Sequence, residues 1–340
     1  MPTASHCVST GHLPAPEQVQ ALVNEAHDRF EPNSAGKNAD YIPALASVPS
    51  QRFGICLVGV GGTCCEAGDS DEGFTIQSIS KPFVFALICQ AIGEEEARRL
   101  LGVNSTGLPF NSVIAVERST EGLSNPMVNA GAIATTSLAP GATAEAQWQF
   151  IRDGLSRFAG RGLEIDEVVY RSEAAANQRN EGIANLLRRY DRIYSDPLQA
   201  TDIYTRQCAL RVTARDLAVM AATLANGGVN PVTREPVIDA IHCQHVLAVM
   251  VTAGLYENSG DWLYDTGLPG KSGVSGGMIT VAPGKGGLAT FAPPLDEAGN
   301  SVKGQLTARF LSEHLGLNLF ASQPAQTLGH RGLEGMALSA

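Results

Sequence analysis

A chain of 340 residues that is 44% hydrophobic and only 17% charged has ample material for a large core and is too apolar to be a disordered polypeptide. Its formal net charge of −10 argues against nucleic acid or an anionic membrane surface as the main partner. No apolar run reaches about 18 residues, so no segment is expected to cross a bilayer.

The opening stretch "MPTASHCVSTGHLPAPEQ" lacks a basic segment followed by an apolar one, so no signal peptide is expected. The seven cysteines, at 7, 56, 64, 65, 89, 208 and 243, show no C-x-x-C spacing and mostly have apolar neighbours. That usage reads as free buried thiols in a reducing compartment, hence a cytoplasmic protein.

In chain order, residues 16–30 place Val19, Leu22, Val23 and Ala26 at helical spacing. "QRFGICLVGVGG" (51–62) reads as a strand and "TCCEAGDSDEGFTIQS" (63–78) as its return after an acidic turn. From Ser78 to about Gly254 helical patterns dominate. Strand character returns in "LPGKSGVSGGMITVAPGKGGLATFAPP" (268–294), read as two short strands joined by "APGKGG". A helix over "SVKGQLTARFLSEHLG" (301–316) follows, and the last twenty residues are loose and small. Strand-rich ends that flank a helical middle must meet in space to share a sheet. The expected division is a discontinuous sheet-plus-helix domain (15–77 and 257–320), a mostly helical domain (78–256) and a tail (321–340), with a site in the cleft between sheet and helices.

Chemistry starts at "FTIQSISKPF" (74–83), where a lysine heads an almost wholly apolar segment. Ser78 at a helix start puts Lys81 one turn on, on the same face. The helix N-terminus favours an oxyanion, and a lysine in a dry cleft has a lowered pKa, so its amine can take the serine proton. Pro82 is compatible only with the first turn, which places the helix start near Ser78 to Ser80. The bare match is weak, since roughly one chance hit is expected in a chain this long. Ser34-Ala-Gly-Lys37 is such a hit, in a polar turn. A helix cap with a snorkelling lysine explains residues 78–81 equally well.

Two further segments add polar groups to apolar surroundings. "SNPMVNAGAIATTSL" (124–138) sets Asn125 and Asn129 around a proline, either as ligand-facing amides or as turn-forming helix caps. "GKSGVSGG" (270–277) is either a glycine-rich strand whose N–H groups complete an oxyanion hole or a bulged hairpin. Gly59-x-Gly61 invites a dinucleotide-binding reading, but Cys64 stands where the third glycine belongs and an acidic turn follows instead of a helix. His242 and His245 invite a metal reading, yet no convincing third ligand is near.

Taken together, "QSISKPF", "FNSV", "NPMVNAGAI", "RSEAAANQRN" and "PGKSGVSGG", in that order, resemble the serine-dependent glutaminase family over roughly residues 20–320. Val103-Asn104 stands where relatives often have Glu-Pro, and Ser275 occupies a position that varies among small residues. The resemblance implies an α+β fold of the serine β-lactamase/transpeptidase type: an antiparallel sheet flanked by helices, plus a mostly helical subdomain. It implies hydrolysis of L-glutamine to L-glutamate and ammonia through a seryl acyl-enzyme, with no cofactor or metal, in a homodimer or homotetramer. Residue by residue, it implies Ser78 as nucleophile and Lys81 as its base. Tyr41 and Tyr256 would line the reaction centre, Tyr256 assisting proton transfer. Gln77, Asn129, Glu173, Asn180 and Tyr204 would hold the amino-acid end, and the N–H groups of Val274 and Ser78 the oxyanion. Glu173 and Asn180, seven apart, are two helical turns from each other and can face one ligand. A β-lactamase or transpeptidase shares the Ser-x-x-Lys and Lys-Ser-Gly elements, but would be expected to carry an export signal.

Overall fold

The computed structural model describes residues 11–118 and 121–322. Cys7, the opening ten residues and positions 323–340 of the expected tail lie outside that range. Five strands form one antiparallel sheet: β1 (Gly54–Gly59), β2 (Cys64–Gly68), β5 (Gly270–Ser272), β6 (Gly277–Ala282) and β7 (Gly286–Phe291), in the order β2-β1-β7-β6-β5. A short pair, β3 (Phe74–Thr75) with β4 (Arg211–Val212), stands apart from it. The central pairing brings the two ends of the sequence together, with Gly54 opposite Phe291 and Gly59 opposite Gly286.

Every residue of β1, β6 and β7 is buried because both faces of the sheet are covered. Alternate residues of β1 divide between two cores. Ile55 and Leu57 pack with Val19, Val23, Phe310 and Leu311 from the terminal helices Pro16–Phe30 and Val302–His314. Cys56 and Val58 join the larger core, which includes the Ala214–Ala225 helix and most of the helical region. That helix lies so close to the sheet that a Cβ on Gly287 would stand 2.3 Å from the Ala222 nitrogen. The fold is therefore α+β.

The Pro16–Phe30 helix and the Val302–His314 helix, the latter capped by the Ser301 hydroxyl, follow the hydrophobic spacing of the sequence. Three details differ. The glycine-rich C-terminal segment makes three strands, since Gly270–Ser272 pairs with Gly277–Ala282 ahead of the hairpin. Glu173 and Asn180 do not share a helix: Glu167–Ala174 ends and Gln178–Arg189 begins after a break at Ala175–Asn177. Cys64 is exposed, although Cys56, Cys65, Cys89, Cys208 and Cys243 are buried and all six are free. Gly59 and Gly61 border the turn between β1 and β2, so the strand leads to a hairpin and not to a nucleotide-binding helix. Among the described residues no helix is long and apolar enough to cross a membrane.

Candidate active site

A tight 3-10 turn, Gln77–Ile79, runs into the Ser80–Ile92 helix, whose first ten residues are all buried. Ser78 therefore stands at the head of the helix and Lys81 in its first turn. Lys81 Nζ lies 2.9 Å from Ser78 Oγ and 2.7 Å from Asn129 Oδ1. Burial drives the amine down to about 7 from the ordinary lysine value of 10.5. A neutral amine donates to Asn129 and still offers its lone pair to the serine hydroxyl.

Asn129 opens the Asn129–Ser137 helix and is an organising amide of the site. Its Oδ1 also accepts from the Tyr204 hydroxyl at 3.1 Å, and its Nδ2 donates to Asn180 Oδ1 at 3.0 Å. Asn180 donates in turn to Asn177 Oδ1 at 2.8 Å, and Asn177 to the Thr205 hydroxyl at 2.8 Å. Asn129 and Asn180 each keep one amide hydrogen for another acceptor. Asn125, by contrast, is structural: it donates to the Asn104 carbonyl at 2.9 Å and accepts from the Met127 amide at 3.0 Å. The departure at Asn104 thus contributes a backbone carbonyl, which any residue supplies.

Glu173 comes from the preceding helix, and its carboxylate accepts from Gln77 Nε2 at 3.2 Å. Burial pushes the carboxyl up to about 7, only partly opposed by that bond and by Lys81. Tyr256 sits across the site at the start of a second 3-10 turn. Its phenol receives a hydrogen bond from Lys271 Nζ at 2.9 Å. Burial holds the phenol well above its ordinary value, against the influence of the Ser78 and Ser272 hydroxyls, so it stays protonated. Lys271 is wholly buried and well below the lysine range, chiefly by burial and secondarily by Lys81. Gln77 and Tyr256 both adopt positive φ, 50° and 59°, a strained conformation for side-chain-bearing residues.

Strand β5 ends beside the Gln77–Ile79 turn. A Cβ on Gly273 would meet the Ile76 carbonyl oxygen at 3.0 Å and Gln77 Cβ at 3.3 Å, so glycine lets the segment leading to Val274 pass close against the turn that carries Ser78. Among the described residues the amides of Ser78 and Val274 have no acceptor. Tyr41, half-exposed at 53%, stands on the rim of a cavity of about 680 Å³ that it shares with Phe110 and Val274. The Phe110 ring packs against Tyr256 with centroids 5.2 Å apart.

Residues 36–320, most of the chain, match the family model described as Glutaminase. The chain belongs to the glutaminase family. It is 65% identical over 317 residues to Glutaminase 2 of Yersinia pestis, covering 93% of each chain. Among solved structures, the probable glutaminase ybaS superposes with a TM-score of 0.89 at 44% identity, over 91% of this chain and 100% of that one. A probable glutaminase from Bacillus subtilis, complexed with 6-diazo-5-oxo-L-norleucine, matches with a TM-score of 0.79 at 30% identity, over 90% of this chain and 97% of that one.

In this glutaminase-family chain, Ser78, Lys81, Asn129, Asn180 and Tyr204 form one hydrogen-bonded cluster. Gln77 and Glu173 pair beside it, and the Tyr256 ring lies over Lys81. Tyr41 and Val274 line the adjoining cavity with Phe110, whose ring packs on Tyr256. Sequence reasoning gave Lys271, Asn177, Thr205 and Phe110 no role. Lys271, Phe110 and Asn177 lie inside the quoted motifs "PGKSGVSGG", "FNSV" and "RSEAAANQRN", which is a signal without an assignment; Thr205, next to Tyr204 on the Pro197–Cys208 helix, carries none. His242 Nδ1 lies 3.3 Å from a Glu94 carboxylate oxygen, and among the described residues no third potential ligand joins them.

Proposed function

We propose that this chain hydrolyses the side-chain amide of L-glutamine through an ester on Ser78, releasing ammonia and then L-glutamate. The observation that carries the reading is a serine oxygen 2.9 Å from a buried amine lowered to about 7. Neutral Lys81 takes the Oγ proton as Oγ bonds to the side-chain carbonyl carbon. The oxyanion is held by the free N–H groups of Ser78 and Val274, each such donor being worth about 10²–10³ in rate. The carbon–nitrogen bond breaks as the proton Lys81 took passes to the nitrogen, relayed with help from Tyr256, which leaves Lys81 neutral again. General acid–base assistance of this kind is worth about 10²–10⁴. Water then adds to the ester, and Lys81 accepts its proton and passes it to Ser78 Oγ as the ester bond breaks and glutamate leaves. At the far end of the substrate Glu173 pairs with the α-ammonium. Gln77, Asn129, Asn180 and Tyr204 surround the α-carboxylate with neutral donors, and Tyr41 lines the entrance.

The site then lies between a sheet unit (15–77 with 257–320) and a helical unit (78–256). Self-association into a homodimer or homotetramer belongs to the same reading, with exposed apolar side chains such as Val168, Leu198 and Tyr264 as available surface. A reducing, cytoplasmic setting suits the five buried free thiols. The test is Ser78→Ala, which is expected to abolish glutamate release, combined with mass mapping of the adduct left by a diazo-ketone analogue of glutamine. Near-normal turnover in the variant, or an adduct on another residue, refutes the nucleophile.

A further inference from the structure

The described residues contain one cluster of three potential metal-ligating side chains, Cys56, Cys64 and Glu66, far from the catalytic chemistry at the other edge of the sheet. Strands β1 and β2 pair with Cys56 opposite Glu66 and Val58 opposite Cys64, so the two cysteines are diagonal neighbours on one face. Their sulfurs are 3.4 Å apart. Cys64 is exposed and Cys56 is buried beneath it. Cys65 points to the opposite face, where its thiol donates to the Pro16 carbonyl at 3.7 Å.

We propose that Cys64 and Cys56 form a peroxide-responsive thiol pair, the exposed sulfur being attacked first and the buried one closing a reversible disulfide across the β1–β2 hairpin. A metal is the poorer occupant, because Arg215 already takes both oxygens of Glu66, with Nε 3.0 Å from Oε2 and Nη2 on Oε1. The same guanidinium also reaches Asp71 at 3.3 Å.

The surroundings favour a Cys64 thiolate. A hydrogen bond from the Cys56 thiol draws Cys64 below the usual thiol range, with Arg215 acting in the same sense and burial and Glu66 opposing. The bond to Cys64 and its own burial hold Cys56 well above that range, so it serves as the protonated donor. The chemistry balances with a hydroperoxide as the oxidant. The Cys64 thiolate attacks the peroxide oxygen and, with one proton, gives the sulfenic acid and an alcohol or water. The Cys56 sulfur then displaces hydroxide from the Cys64 sulfur. The thiol proton leaves with it as water, and a sulfur–sulfur bond forms. The disulfide joins β1 to the edge strand β2, at the side of the sheet opposite β5, so glutamine turnover is expected to be unchanged.

The experiment treats the full chain with hydrogen peroxide and maps it without reduction after chymotryptic cleavage, since Leu57 separates Cys56 from Cys64. The expected product joins those two peptides with a mass loss of about 2 Da, for two hydrogens, reversed by dithiothreitol. In Cys56→Ser the reaction stops at a Cys64 sulfenic acid that dimedone labels. In Cys64→Ser no oxidation appears at position 56. A disulfide from Cys64 to Cys65, dimedone labelling spread evenly over the thiols, or stoichiometric zinc bound by the reduced protein and blocking both thiols overturns the proposal.

Discussion

Lys81 and Glu173 are pushed to about 7 from opposite sides, one down from the amine range and one up from the carboxyl range, by the same cause, removal from water. The signs then combine. Below about pH 7 Lys81 is protonated and cannot accept from Ser78, and Glu173 is protonated and cannot pair with an α-ammonium. Both losses lie on the acid side, so kcat/KM is expected to rise with pH through about 7, its acid limb approaching a slope of about 2 log units per pH unit. In the substrate complex the ammonium keeps Glu173 ionised, so the kcat profile is expected to carry a slope of about 1. Glu173→Gln is expected to raise KM and reduce the acid slope of kcat/KM to that of Lys81 alone. Steady-state rates from pH 5.5 to 8.5 check this, and a flat profile contradicts the base. At this scale Ser78 and Lys81 were legible from spacing and from the oddity of a lysine in an apolar segment. The difference between Asn125 and Asn129 was not. Both are amides beside the same proline, and only the neighbours, backbone for one and Lys81 for the other, separate structure from chemistry.

Elements follow the sequence where one physical signal dominates. The Pro16–Phe30 helix has a single apolar stripe, and β1 is an apolar run bounded by glycines, so each is readable from periodicity and punctuation. The break between the helices carrying Glu173 and Asn180 is hard to read, because the alanines at 174–176 are strong helix formers and only Asn177, at the head of the second helix, hints at it. The interruption lets Glu173 reach Gln77 and Asn180 reach Asn129. It sets the two side chains at different angles around one cleft, which a continuous helix would not. The end of β5 is the other element whose position decides function. Gly273→Ala puts a methyl 3.0 Å from the Ile76 carbonyl oxygen and must displace either Val274 or the Ser78 turn. The expected result is a fall in kcat of about 10², in line with small misplacements of reacting groups, with the far-ultraviolet circular dichroism spectrum retained. An unchanged kcat means that the Val274 amide does not act on the reaction.

Across the whole molecule, β7 is the strand on which the architecture depends, since it lies between β1 from near the start of the chain and β6 beside it in sequence. Truncation after residue 285 leaves β1 and β6 with unpaired edges and opens both cores. Such a chain is expected to lose cooperative thermal unfolding and all glutaminase activity, and a folded, active truncation would contradict this account of the sheet. The sequence by itself determined the family and the fold class, and its motifs put Ser78 and Lys81 one turn apart at a helix head. Those rest on local spacing and on motifs long enough to be specific. Only the tertiary structure decided which amides face the cleft, that Lys271 supports Tyr256, and that two groups of opposite charge type are both brought near neutrality. Hydrogen-bond partners and loss of solvent depend on chain segments as distant as Gln77 and Glu173, or Cys64 and Arg215, and no local pattern in the sequence encodes which of them will meet.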